Sequence, residues 1–262
     1  MIAHQVMGKA ARDAFFLTSF DAAWLPLMKM AAAVFAMGVG LASPPVFRRY
    51  GLSRAAPGAF VVSGLAHGAE FALRAVSPQA VAVLVYLHIV GLCAILLSGF
   101  WLLMSERFGP ADARQWFGRI AGYGTLGGVA GGLAAERWAA AGLSGMTLLV
   151  VMGGLQIVAG LCLLAQAGPA REQQAPPGMS ARQALASAPY LRLLAWMVFL
   201  GTAAAALIDL WFATTAKQAL GGGAPLLRFF AGFHAITQAL VFLMQAFAVR
   251  TMLDRYGLGR TV

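Results

Sequence analysis

The sequence predicts an all-α protein, a polytopic membrane helix bundle with about seven complete transmembrane helices. Two observations lead there. Of the 262 residues 60% are apolar and only 11% charged, whereas soluble domains carry roughly 25% charged residues. The apolar residues also fall in long continuous runs at a mean hydropathy of +0.76, unlike the alternating strands of an outer-membrane barrel. At about 20 residues per crossing, this length accommodates seven or eight crossings and no separate soluble domain of normal size.

Seven stretches are long and apolar enough to be read as spans. The first, residues 22–43, opens at Leu25, Pro26 and Leu27, carries Lys29, and is followed by a stop at Phe47, Arg48, Arg49, Tyr50 and Gly51. The second, 56–76, holds His67, Glu70 and Arg74. The third, 80–104, stops at Glu106, Arg107, Phe108, Gly109 and Pro110, and the glycine-rich fourth covers 117–139. The fifth is 144–167, the sixth, 190–216, contains Asp209, and Gly221, Gly222 and Gly223 precede the seventh, 226–249. Residues 1–167 then form an N-terminal bundle of a partial first helix and five spans. Residues 168–189, with Pro169, Pro176 and Pro177, form a cytoplasmic linker, and 190–262 begin a C-terminal bundle with two spans.

The formal net charge of +10 follows from membrane topology, because cytoplasmic loops collect Lys and Arg and anionic headgroups hold them there. One face gathers twelve cations: Arg48, Arg49, Arg54, Arg107, Arg114, Arg119, Arg171, Arg182, Arg192, Arg250, Arg255 and Arg260. The opposite face has seven, Lys9, Arg12, Lys29, Arg74, Arg137, Lys217 and Arg228. The first face is therefore expected in the cytoplasm and the N-terminus outside. Residues 1–20, interrupted by His4, Gln5, Lys9, Arg12 and Asp13, do not read as a secretory signal. An external start with seven crossings leads to the expectation that the beginning is missing or that residues 1–19 end a damaged span. No basic stripe interleaved with exposed aromatics points to nucleic acid. Cys93 and Cys162 lie in apolar runs and read as packing residues.

Gly122 to Gly127 match the dinucleotide fingerprint formally, but no strand precedes them, and the match is accidental. Gly124, Gly128 and Gly132 repeat every four residues and read as a helix-packing face, either static or sliding. An ionised group in hydrocarbon costs at least about 2.5 kcal/mol and calls for a partner or a wet cavity. Lys29, Glu70 and Asp209 each lie about six or seven residues, roughly 10 Å, below the outer end of their spans, so they are expected to share one cavity. Local alternatives are Glu70 with Arg74, Asp209 with Lys217, and a snorkelling Lys29. His67 projects from the same side as Glu70, which admits a proton relay or a simple buried hydrogen bond. No further ligands stand at helpful spacing, so no metal site is expected. His88 and His234 receive no role. With no P-loop, zinc-protease or nucleophile-elbow motif, the chain does not read as an enzyme and implies no cofactor.

Ala11 to Leu17 followed by Leu25 to Leu27, the run Ala113 to Gly122 leading into the glycine helix, Leu207 to Phe212, and Arg228 to Phe233 together resemble the ATP/ADP translocase-like branch of the major facilitator superfamily in bacteria. The resemblance extends over nearly the whole chain. It implies that the seven spans correspond to helices two to eight of a twelve-helix transporter, with most of helix one and helices nine to twelve absent. The pattern Arg49, Tyr50, Gly51 returns at Arg255, Tyr256, Gly257, as in two repeated halves. Where the family often has a Lys after the helix-seven Asp, this chain has Ala213, a departure that bears on the adenine-nucleotide substrate the resemblance implies.

The reading is a facilitator-type transport protein of the bacterial inner membrane that moves a small anionic metabolite, with a nucleotide as one candidate, by alternating access. Lys29, Asp209, Glu70, Arg12 and Lys9 would line its substrate pathway, with the cations meeting the anion and the carboxylates pairing with them or carrying a coupling proton. Expected partners are membrane lipid and the anionic substrate. The alternative is a non-transporting membrane module, or an incomplete product, derived from such a bundle.

Overall fold

The structure, a computed structural model, describes residues 1–166 and 189–249. Every regular element among them is helical. The first helix, α1, is Ile2–Ser19. Asp21 then accepts a hydrogen bond from the Ala23 N–H at 2.8 Å and caps a short turn into α2, Leu25–Tyr50. Pro26 sits in the first turn of α2, where its missing N–H costs nothing. Gly51, at a φ of 71° that side-chain-bearing residues rarely adopt, breaks the chain between α2 and α3, Leu52–Leu73. Ser77 caps α4, Pro78–Leu87. A π-helical segment, His88–Leu92, joins it to α5, Cys93–Arg107. There follow α6, Pro110–Ala140, α7, Leu148–Ala165, and α8, Pro189–Leu220. The last described helix is α9, Ala224–Leu243, which ends in a second π-helical segment, Met244–Val249.

Five of these helical stretches are long and apolar enough to cross a membrane: Ala22–Tyr50, Pro78–Arg107, Gly145–Ala165, Pro189–Leu220 and Ala224–Phe247. The other two expected spans fall on α3 and α6. These have 22 and 31 residues, but their many glycines and the charged Arg54, Glu70, Arg119, Glu136 and Arg137 dilute their apolar character. Both ends of α2 differ from the expected 22–43, because the helix continues through Pro44 and Pro45 to the Arg48–Arg49 pair.

Residues 2–19, expected as the end of a damaged span, are well packed in the structure. They form one uninterrupted helix, and eleven of its residues, from His4 to Leu17, are buried. Its C-terminal end meets the α8–α9 turn, where the Gly223 N–H donates to Thr18 Oγ1 at 2.8 Å. Its N-terminal end, Met1, packs against the same buried cluster, around Phe60 and Leu103, as Phe47, Phe100, Trp101, Phe117 and Ile120 do. Met1 and Thr18 therefore lie at opposite ends of the bundle. The polar residues of α1 are explained by this position, since a helix enclosed by other helices faces protein and not lipid.

The larger core surrounds α1 and joins Phe16, Leu17, Leu25, Tyr86, Leu148 and Phe230. A smaller one, with Phe60, Leu96, Leu103 and Leu163, sits toward the Met1 end. Close approach between helices relies on glycine. A Cβ on Gly64 of α3 would lie 2.6 Å from the Gly153 oxygen of α7, and one on Gly153 would lie 2.7 Å from the Gly64 oxygen. The expected glycine face on α6 also packs tightly, but against two helices. Gly128 and Gly132 meet Gln238 and Ala235 of α9, whereas Gly124 meets Ile2 of α1. The tightest α6 contact is at Gly131, where a Cβ would lie 2.5 Å from the Ala3 oxygen. The linker at 168–188 and the second Arg-Tyr-Gly copy at 255–257 lie outside the described residues.

Candidate functional site

Helical geometry places Lys9, Arg12 and Asp13 close together along α1. Arg12 closes a bidentate pair with Asp13, Nε to Oδ1 and Nη2 to Oδ2, both at 2.8 Å, and its guanidinium lies 4.9 Å from the centre of the Tyr86 ring of α4. Such a fork satisfies both oxygens of a carboxylate that is only 4% exposed. From α2, Lys29 forms an ion pair with Asp209 of α8. Asp209 also lies within electrostatic reach of Arg12, and His234 of α9 within reach of Lys9, Arg12, Asp13 and Asp209. Lys9 is exposed. Three helices, α1, α2 and α8, thus bring three cations and two carboxylates to one region, with Tyr86 of α4 and His234 of α9 beside them.

Four of the five residues expected along a substrate pathway, Lys29, Asp209, Arg12 and Lys9, come together there. Glu70 does not. Equal depth along separate helices says nothing about which way each side chain faces, and Glu70 points into the bundle formed by α1, α3, α4 and α7. Arg74 does not pair with it either, but donates to the Phe71 carbonyl at 2.7 Å and lies over the Phe71 ring. Asp209 has Lys29 as its partner where Lys217 was the local alternative.

Glu70 instead sits in a buried polar chain. Its Oε2 contacts His67 Nδ1 at 2.6 Å and its Oε1 contacts His88 Nδ1 at 2.8 Å. The chain continues from His67 Nε2 to His4 Nε2 at 2.8 Å and from His88 Nε2 to Ser63 Oγ at 2.7 Å. Gln156 Nε2 of α7 closes it, 3.3 Å from His4 Nδ1 and 3.4 Å from Ser63 Oγ. All six residues are buried. The π-helical segment that begins at His88 offsets the helix at this point, a distortion often found at functional positions. His4 and His88 were not legible as site residues, since each stands alone in its own segment. The one available signal was that three histidines fall in segments otherwise dominated by apolar or small residues.

The ligating atoms of His67, Glu70 and His88 lie within 4.8 Å of one another, which raises the question of a metal. The ring geometry answers it. The His67 and His88 rings are stacked, with centroids 4.1 Å apart and planes 17° from parallel. An imidazole binds a metal through a lone pair in its ring plane, and two nearly parallel planes at this separation cannot both contain one ion at about 2.0 Å from nitrogen. The short Nδ1 to oxygen contacts match hydrogen bonds to a carboxylate.

No family model, curated protein or solved structure matches this chain.

Proposed function

We propose that the chain is a membrane transport protein of facilitator type that moves a small anionic metabolite by alternating access. The observation that carries this reading is the Lys29–Asp209 ion pair. It ties α2 to α8, on opposite sides of the 168–188 segment, beside Arg12, Asp13 and exposed Lys9. Three cations against two carboxylates leave a surplus positive charge available to an anion. Ionised groups inside apolar helices are costly unless they face a wet passage or one another, and a pair that joins helices from two bundles can open and close as these rock. The resemblance of Leu207 to Phe212 and Arg228 to Phe233 to the translocase-like facilitators supports the same class, a bacterial inner-membrane location and a seven-span arrangement that includes α3 and α6.

Uptake into proteoliposomes tests this. The wild-type protein should accumulate a labelled anion, identified first by a thermal-shift screen of nucleotides and other phosphorylated metabolites, because a ligand of the folded form raises its apparent stability. Lys29→Ala and Asp209→Ala should each lower uptake at least about tenfold, equivalent to about 1.4 kcal/mol. Normal uptake by both variants would reject the site.

A further inference from the structure

The buried chain on the other side of α1 has a proton inventory that can be counted. An ionised Glu70 only accepts hydrogen bonds, so His67 and His88 must both donate from Nδ1 at the 2.6 and 2.8 Å contacts. With both rings neutral, their Nε2 atoms are acceptors. Ser63 then donates its hydroxyl proton to His88, and His4 donates from Nε2 to His67. His4 Nδ1 is left to accept from the Gln156 amide at 3.3 Å, with the Cys93 thiol 4.0 Å away. Each contact holds one proton, and the cluster carries a single negative charge.

The surrounding elements bring little to balance that charge. From α1 come His4 and, at its start, the Met1 α-amino group, which acts on His4 electrostatically. From α3 come His67 and Glu70, from the π segment His88, from α5 Cys93, and from α7 the amide of Gln156. Against the π segment, α2 sets Phe35 and Ala36, next to Gly91. One polar atom among these is buried with no partner: Gln156 Oε1.

We infer that the His4–His67–Glu70–His88 cluster is a binding site for one exchangeable proton. The proton, taken from water, adds to His4 Nδ1. His4 passes its Nε2 proton to His67 Nε2, and His67 becomes an imidazolium held by the Glu70 carboxylate. Gln156 turns its amide, so that the presently unpartnered Oε1 accepts from the new His4 Nδ1–H. N–H bonds form at His4 Nδ1 and His67 Nε2 and one breaks at His4 Nε2, no bond between heavy atoms changes, and the cluster goes from one negative charge to none. A second proton has no place. It would put imidazolium charges on two rings stacked 4.1 Å apart, and like charges at such range oppose each other's ionisation. This site does not depend on the transport reading, because it uses none of the residues assigned to the anion.

The test is nitrogen NMR of the full chain labelled with 15N-histidine in lipid nanodiscs, from pH 4 to 9. At high pH, His67 and His88 should show the Nδ1–H tautomer and His4 the Nε2–H tautomer. On lowering the pH, His4 should change tautomer as His67 becomes doubly protonated, in one transition that takes up one proton for the three rings together. His234, the fourth histidine of the chain, lies outside the network and reports separately that the protein is folded. Glu70→Gln should abolish the shared transition, and Ser63→Ala should keep it. The wild-type count decides even if Glu70→Gln fails to fold. Independent titration of the three rings, or any uptake other than one proton, overturns the proposal, as does a folded Glu70→Gln protein that titrates like the wild type.

Discussion

The ammonium of Lys29 meets the carboxylate of Asp209, 180 residues further along the chain. The Lys29 side chain is 20% exposed and that of Asp209 43%, so this is a partly solvated pair, and its contribution to stability is expected to be about 1 kcal/mol or less. The charge-swapped protein, Lys29→Asp with Asp209→Lys, should therefore melt close to the wild-type temperature. Its uptake should stay low, because the cation has moved from α2 to α8. Melting curves and proteoliposome uptake on the same preparation separate the two effects.

Asp13 behaves differently, because it is buried and depends on Arg12 for both of its oxygens. Arg12→Ala leaves an uncompensated buried carboxylate and should cost about 3–5 kcal/mol. Arg12→Lys, which keeps the charge but loses the fork, should fall between that variant and the wild type. The neutral pair Arg12→Leu with Asp13→Leu should be more stable than Arg12→Ala alone. Unfolding in graded detergent denaturant ranks the four proteins, and a double variant as unstable as Arg12→Ala would refute the account.

Adjacent glycines on α7 give an internal control for close packing. A Cβ on Gly153 meets the Gly64 oxygen of α3 at 2.7 Å, whereas nothing lies within 4 Å of one on Gly154. Gly153→Ala should destabilise the protein by about 1–3 kcal/mol, the usual range for overpacking. Gly154→Ala should be neutral or slightly stabilising, since alanine favours helix over glycine. Thermal melts of the two variants decide, and equal effects would mean that backbone contact between α3 and α7 is unimportant.

The proposed seven-span arrangement makes a prediction for topology. Single cysteines at Gly51 and Glu106 should react with a membrane-impermeant maleimide from one side of the membrane, and those at Val76, Leu143 and Gly222 from the other. Both native cysteines, Cys93 and Cys162, need to be replaced by serine first. Labelling of Gly51 and Val76 from the same side would show that α3 does not cross.

Helical class and the approximate place of most helical stretches were legible in the sequence, because long apolar runs and local stops such as Gly51 and Pro110 act within a few neighbouring residues. The π-helical offset at His88 and the passage of α2 through Pro44 and Pro45 were not, since neither follows from local preference. Within the candidate sites, the rarity of charge in apolar segments was enough to single out Lys29, Glu70 and Asp209.

Sequence by itself determined that these helices are apolar rods carrying few ionised groups, because the cost of burying charge is a property of each residue and its immediate surroundings. Only the tertiary structure decided which of those groups meet. It brought Lys29 to Asp209, turned Glu70 toward His67 and His88, and drew His4 in from α1. The angle at which each helix faces its neighbours is set by contacts between residues far apart in the chain, such as Gly64 with Gly153, and no local pattern encodes it.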